Sequence, residues 1–461
     1  MKIVIVGGVA AGTSVATKAR RNDPHCQTVI FERGAAISYA ACGIPYLFGS
    51  SYEIAVKDLM PRDVAWFQQR GVDIRPFHEV TAVDLVNKEV RVVNLQTGTS
   101  FNESFDVLVL ATGSKPKIPH HLQSLSQLKN VATIKDPLAA ATLKENYKKG
   151  EAVAIIGAGY IGLEMAEQLT EAGMKVSLIQ HSAHPMSMLS ETLGSDIIET
   201  LERHHVAFYA NQEVSSYQEE QSQVRQLQLS DGTILPVDQV ILATGAVPET
   251  TLAQKIGVRL GQTGAIAVDE HLQTNLKDVY AVGDCIELKS RITNEAVYLP
   301  LATNANRCGR LLGDYLTGGK ITLSPVLGTA ITKCFDLEIG MTGASKRELE
   351  KWRIPFIEVD MYTLAKSSYI DKRPLHLHAY LHPQRYLLGV AITGQAGVDK
   401  RIDVLATAMT ARMTVDQLAQ LDLGYEPLFS TSRDAIIQLA LVASHRLDNF
   451  NNDNGSMDGL D

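Results

Sequence analysis

Residues 152–173 read AVAIIGAGYIGLEMAEQLTEAG. A short apolar run enters a turn carrying Gly157, Gly159 and Gly162 in GxGxxG spacing, and apolar residues then recur every three or four positions. The run predicts a buried strand and the recurrence an amphipathic helix. Between them, the glycines predict a backbone turn that lets a pyrophosphate approach the helix N-terminus. A related copy opens the chain: KIVIVGGVAAGTSVATKARR at 2–21 carries Gly7, Gly8 and Gly12, with Val9 where the middle glycine of the motif would stand. Each copy runs on into a second short strand, TVIFER at 28–33 and KVSLIQ at 175–180. Each closes much later in a matched strand and turn, VLVLATGSKP at 107–116 and QVILATGAVP at 239–248. This internal repeat predicts two dinucleotide-binding units.

A third signature, TNLKDVYAVGDC at 274–285, puts Asp284 at the end of a short apolar strand, where a carboxylate accepts from ribityl or ribose hydroxyls. It lies beyond the second unit, so one unit is read as inserted in the other. The expected fold class is α/β with two Rossmann-like dinucleotide-binding domains. The first spans 1–115 plus 246–323, and the second spans 116–245. From 324 the texture changes to alternating strands (AITKCF, FIEVDMY, LHLHAYL) followed by helical patterns at 398–420 and 432–446, predicting a separate α+β domain to residue 446. The polar, glycine-bearing end, 447–461, is expected to be a disordered tail.

The chain has 461 residues, which fits about three domains at roughly 150 residues each. Its 45% apolar and 20% charged content is that of a globular protein with a sizeable core. A net charge of −8 gives no general attraction to nucleic acid or to an anionic membrane. The N-terminus runs straight into a strand pattern without a signal-peptide profile, and no apolar run approaches membrane-spanning length, so a cytoplasmic location is expected. Five scattered cysteines, Cys26, Cys42, Cys285, Cys308 and Cys334, form no CxxC pair and no disulfide framework, and no metal site is expected.

Glu32, at the end of the first unit's second strand, can hold adenosine ribose hydroxyls; FAD fits there, and so would NAD. In the second unit the matching position is Gln180, followed by His181, so the carboxylate that repels a 2′-phosphate is missing. NADPH is the expected donor, with NADH admitted. The expected cofactor residues are Gly7, Gly8, Ala11, Gly12, Glu32, Arg33, Thr112, Gly113 and Asp284 in the first unit. In the second they are Gly157, Gly159, Tyr160, Gly162, Glu164, Gln180 and His181.

Segment 37–48, ISYAACGIPYLF, places Cys42 at the start of an expected helix beyond the first crossover. A helix N-terminus stabilises a thiolate and lowers a cysteine pKa, which predicts a nucleophile at neutral pH. The other four cysteines read as small buried hydrophobes.

Over about 445 residues the sequence resembles the coenzyme A-disulfide reductases, single-cysteine members of the flavoprotein disulfide reductases. The resemblance rests on GGVAAG at 7–12, SYAACGIPY at 38–46, GAGYIGLE at 157–164, YAVGD at 280–284, GVDKRIDVLATAM at 397–409 and YEPLFSTSRD at 425–434. It implies a homodimer built through the third domain, bound FAD, and a Cys42 that cycles through a mixed disulfide with coenzyme A. It also implies that Tyr425 of the other subunit gives a proton. SSYIDKR at 367–373 stands where the family has Tyr-Tyr-Pro-Gly, making Tyr369 the expected second tyrosine, and Ala41 stands where the family often has Asn.

Coenzyme A is a polyanion and needs local cations. Ser14, Lys18 and Arg21, spaced by four and three, share one face of the first helix, and position-by-position matching to the family adds Ser38, Arg70, Asn304 and Arg433. The implied substrate is coenzyme A disulfide, or its persulfide or polysulfide. Two other readings stand beside it. One is an NADH oxidase or peroxidase working through a Cys42 sulfenic acid, against which Ala10 stands where those relatives carry a histidine. The other is a non-catalytic flavin redox sensor.

Overall fold

The computed structural model describes residues 1–320 and 322–455, with side chains to residue 450. Its first sheet is wholly parallel, in the order Val279–Ala281, Val107–Leu110, Lys2–Val6, Gln27–Phe31, Val72–Arg75. The central strand is an unbroken apolar run because both of its faces are covered; Ile3, Val4 and Ile5 are fully buried. One covering helix is Ala10–Asn22. A second, Ala302–Tyr315, packs closely on it where Gly309 and Gly313 meet the backbone of Ala11 and Val15.

The second sheet repeats the plan in the order Ala207–Tyr209, Lys175–Ile179, Ala152–Ile156, Gln239–Leu242, Val131–Ala132, again all parallel. The chain leaves the first sheet along Ser114–Pro116 and returns along Ala246–Pro248, and these two short strands pair antiparallel. Both crossings therefore run side by side.

The third sheet is antiparallel, ordered Ala330–Cys334, Leu337–Gly343, Leu387–Gly394, Pro374–Leu381, Ile357–Leu364. It packs on Val398–Thr410 and on Ala435–Gly455. The helical pattern expected at 398–420 is two helices. Arg412 takes a left-handed φ of 55°, and Thr414 starts a new helix, Val415–Leu418, with a reciprocal Thr414–Gln417 capping box. The tail expected to be disordered from 447 is instead helical to Gly455. Leu447 continues the buried stripe of Ile436, Ala440 and Ala443, and burying such a leucine contributes about 1.5–3 kcal/mol. Residues 456–461 lie outside the described residues.

Helix Tyr160–Glu171 is fastened along one face. There Thr332 Oγ1 donates to Glu164 at 3.1 Å, Lys333 Nζ to Glu167 at 3.2 Å and Phe335 N to Glu167 at 2.7 Å. Further along the same face Ser51 Oγ donates to Glu171 at 2.7 Å.

Candidate active site

The two glycine turns share a clasp. Gly7 (φ 112°) and Gly157 (φ 106°) lie against the carbonyls of Ala111 and Ala243, where a Cβ would collide. Gly12 and Gly162 in turn seat against the carbonyls of Gly7 and Gly157. Space around Gly159 is open to at least 4 Å, the gap a pyrophosphate needs. Val9 stands in place of that glycine with a negative φ of −105°, outside the left-handed region that would demand glycine. The close approach passes to Gly8, whose Cβ would sit 2.9 Å from that of Glu32.

Glu32 takes Gly8 N at 2.7 Å on one oxygen and Gly34 N at 2.8 Å on the other. Gln180 copies that role: its Oε1 accepts from Ala158 N at 3.0 Å, while its amide nitrogen donates to Ser182 Oγ at 2.7 Å. The second unit thus keeps the turn-bracing contact and drops the charge. His181 and Arg33 are exposed.

Gly283 (φ 82°) lies against Ala11 at the head of the first helix, and Asp284 follows it in the chain. Burial pushes the Asp284 carboxyl up, against the pull of Lys135 and a long 3.4 Å hydrogen bond from Ser114 Oγ. A desolvated carboxylate so weakly partnered is suited to ligand hydroxyls. The first unit can therefore hold a dinucleotide through the Gly7–Gly12 turn, Glu32 and Asp284, and the second through the Gly157–Gly162 turn.

Cys42 is the exposed one of the five cysteines; Cys26, Cys285, Cys308 and Cys334 are buried. Its segment is tied to the first glycine turn by Ser38 N, which donates to Gly8 O at 2.8 Å. The expectation of a helix N-terminus and a lowered pKa is corrected on both points. Cys42 sits in a single 3-10 turn, Ala41–Gly43, too short to sum peptide dipoles. Surrounding protein desolvates the thiol and pushes its pKa up; Glu164 and Asp284 add to the rise, against Lys135 and a backbone hydrogen bond.

Glu164 is itself pushed up to about 7 by burial, against the hydrogen bond from Thr332. It therefore ionises near neutrality, and above that pH its charge holds the Cys42 proton on. We expect Glu164→Gln to move the pH profile of Cys42 alkylation to lower pH, with wild type and variant converging below pH 7, where Glu164 is already neutral. Coincident profiles above pH 7, followed with iodoacetamide on the reduced protein, would refute the coupling.

The family model of the pyridine nucleotide-disulphide oxidoreductases matches residues 1–309, and that of their dimerisation domain matches 329–435. The chain belongs to this family. It is 36% identical to the NAD(P)H sulfur oxidoreductase (CoA-dependent) of Pyrococcus furiosus, over 96% of this chain and 98% of that one. It is 31% identical to the coenzyme A disulfide reductase of Staphylococcus epidermidis, over 94% and 98%. Reduced Bacillus anthracis CoADR-RHD superposes with a TM-score of 0.94 at 32% identity, over 99% of this chain and 84% of that one. As a pyridine nucleotide-disulphide oxidoreductase, the protein is an enzyme that works with FAD and NAD(P)H. No helix among the described residues is long and apolar enough to cross a membrane.

Within this oxidoreductase the other expected residues fall into separate groups. Thr112 and Gly113 follow the strand Val107–Leu110, with space around Gly113 open to 4 Å. Tyr160 heads its helix and donates to Met341 Sδ at 3.3 Å. Ser14 bonds Asn306 at 3.0 Å, and Lys18 is committed to Asp314 at 2.9 Å, so it is not a free cation. Arg21 is exposed, and Asn304 donates to Leu299 O at 3.3 Å. Arg70 lies 3.7 Å over the ring of Trp66, with Arg62 4.8 Å from the same ring.

Tyr369 and Tyr425 are neighbours on the third domain, and the nearby Tyr425 hydroxyl raises the Tyr369 pKa. Arg433 lies exposed on the same segment as Tyr425. Sequence reasoning missed Lys135 and Trp66. Lys135 precedes Asp136, which caps the helix Pro137–Asn146, and only that turn signal marks the place.

Proposed function

We propose that this enzyme reduces coenzyme A disulfide, or the persulfide or polysulfide of coenzyme A, with NAD(P)H through Cys42. The supporting observation is an exposed lone thiol tied to the dinucleotide turn and flanked by two carboxylates. In the first half-reaction the Cys42 thiolate attacks the substrate disulfide. A Cys42–S–S–CoA bond forms, the substrate S–S bond breaks, and coenzyme A thiolate leaves with a proton. FAD, when bound, supplies two electrons drawn from a nicotinamide hydride. With them the mixed disulfide is cleaved, the second coenzyme A departs and Cys42 is regenerated. The raised Cys42 pKa lowers the resting thiolate fraction, so the attack step is expected to quicken as pH rises.

The protein works as a homodimer in this reading. The third domain exposes Tyr362, Tyr369, Ile370, Leu428 and Phe429, a set of apolar side chains of the kind a partner covers. Tyr425, supported by Tyr369, gives the proton from the other subunit. Arg21, Arg70 and Arg433 meet the phosphates of coenzyme A with Ser14, Ser38 and Asn304, and the flat face of Trp66 joins them. The inserted unit takes the nicotinamide nucleotide, NADPH before NADH.

Mass spectrometry of the purified, unreduced protein tests the reaction. A coenzyme A adduct on Cys42 is expected, and sulfenic or sulfinic acid there without any adduct would overturn the reading. The donor preference has its own check. Gln180→Glu returns a charge beside the 2′ position, where like-charge repulsion at about 4 Å costs on the order of 1–4 kcal/mol. We expect kcat/KM for NADPH to fall about tenfold or more while that for NADH holds. Equal loss for both donors would count against Gln180 as the discriminator.

A further inference from the structure

We propose that Arg401 is a positioning residue that sets Tyr369 and Tyr425 in register. The proposal rests on the reading that this tyrosine pair serves Cys42. Within their own subunit both tyrosines are exposed, 74% and 50%, so packing inside the chain does not fix where their hydroxyls lie. Their places are decided at the roots of the two segments that carry them, and Arg401 joins those roots.

The Arg401 side chain is 0% exposed, on the helix Val398–Thr410. Its Nε and Nη2 donate to the two carboxylate oxygens of Asp434 at 3.2 and 2.9 Å, closing the 425–434 segment at its far end. Nη2 also donates to Ala365 O at 3.1 Å, where the 365–373 segment begins, and Nη1 is held by Gly397 O at 2.9 Å. Asp434 Oδ1 further accepts from Ile436 N at 3.0 Å, fastening this junction to the last helix. The segments touch again where Ser367 N donates to Pro427 O at 3.4 Å.

A buried ion pair is a weak source of stability, because a well-packed apolar pair of similar volume serves as well or better. What an apolar pair cannot do is hold a carboxylate and a carbonyl from two segments in fixed directions. A guanidinium, planar with five donors, does this. The neighbouring Tyr369 and Tyr425 then sit on two loops anchored at one side chain.

The test uses the FAD-loaded dimer and two acceptors: coenzyme A disulfide, and ferricyanide, which needs neither Cys42 nor the tyrosines. Arg401→Lys keeps the charge but cannot span Asp434 and Ala365 together. It is expected to lower kcat for coenzyme A disulfide by about tenfold to a hundredfold, the scale of a small misplacement of a reacting group. Ferricyanide turnover, FAD content and KM for NAD(P)H are expected to stay within about twofold. Adding Arg401→Lys to Tyr425→Phe is expected to cost nothing more, as for groups acting as one unit.

Should Arg401→Lys fail to fold, Asp434→Asn preserves the shape and is expected to give the same pattern with a smaller loss. Losses that multiply in the double variant, or that appear equally with ferricyanide, would overturn the proposal. An unslowed Arg401→Lys beside a slowed Tyr425→Phe would overturn this inference alone. An unslowed Tyr425→Phe would remove the tyrosine reading and the inference together.

Discussion

Replacing Cys42 by serine is expected to stop reduction of coenzyme A disulfide while leaving a folded, FAD-loaded protein that still passes electrons from NAD(P)H to ferricyanide. Serine keeps the shape of the Ala41–Gly43 turn and the exposure of the side chain. Its hydroxyl, however, forms no disulfide, so no mixed disulfide with coenzyme A can build on it. The other four cysteines are buried and cannot take over. Loss of a nucleophile on this scale is about a thousandfold or more, or roughly 4 kcal/mol in the barrier. Steady-state NAD(P)H consumption with each acceptor measures it. Retained disulfide reduction would end the proposal that Cys42 carries the chemistry.

The second large effect concerns the cofactor. Gly12→Ala is expected to yield protein with a lowered FAD content after dialysis, with turnover of both acceptors falling in step. The added Cβ would collide with the Gly7 carbonyl and lie 3.0 Å from Ile5 Cγ2. Gly7 cannot retreat, because its own φ of 112° leaves it against the Ala111 carbonyl. Relief must come from opening the turn, at about 1–3 kcal/mol for an overpacked contact. That corresponds to a loss of about fivefold to about 150-fold in affinity, read by flavin absorbance after dialysis. Full FAD occupancy in the variant would show that the Gly7–Gly12 clasp is not the flavin seat.

Much of this was legible in the chain. Two strand, glycine turn and helix patterns read correctly because their signals are local: period, turn chemistry and a handful of positions. Val9 was read as a departure, and in the structure the tight approach falls on Gly8 instead. The environment of Cys42 was misread because two turns of 3-10 helix, Ala41–Gly43 and Pro45–Leu47, carry the same local residues as the start of an α-helix. Its electrostatics come from Glu164, Asp284 and Lys135, which are remote in sequence. Lys18 looked like a free cation because Asp314 belongs to another helix. The break at 411–414 was hidden by apolar periodicity on both sides. The last helix was cut short because the asparagines after Leu447 look like loop, although the apolar stripe runs through that residue.

The helix that opens with the second glycine turn is riveted along one stripe of glutamates, by Thr332, Lys333 and Phe335 of the third domain and by Ser51 of the segment that follows Cys42. Three stretches of chain far apart in sequence therefore share a single seam, and a charge lost from that stripe is felt in all of them.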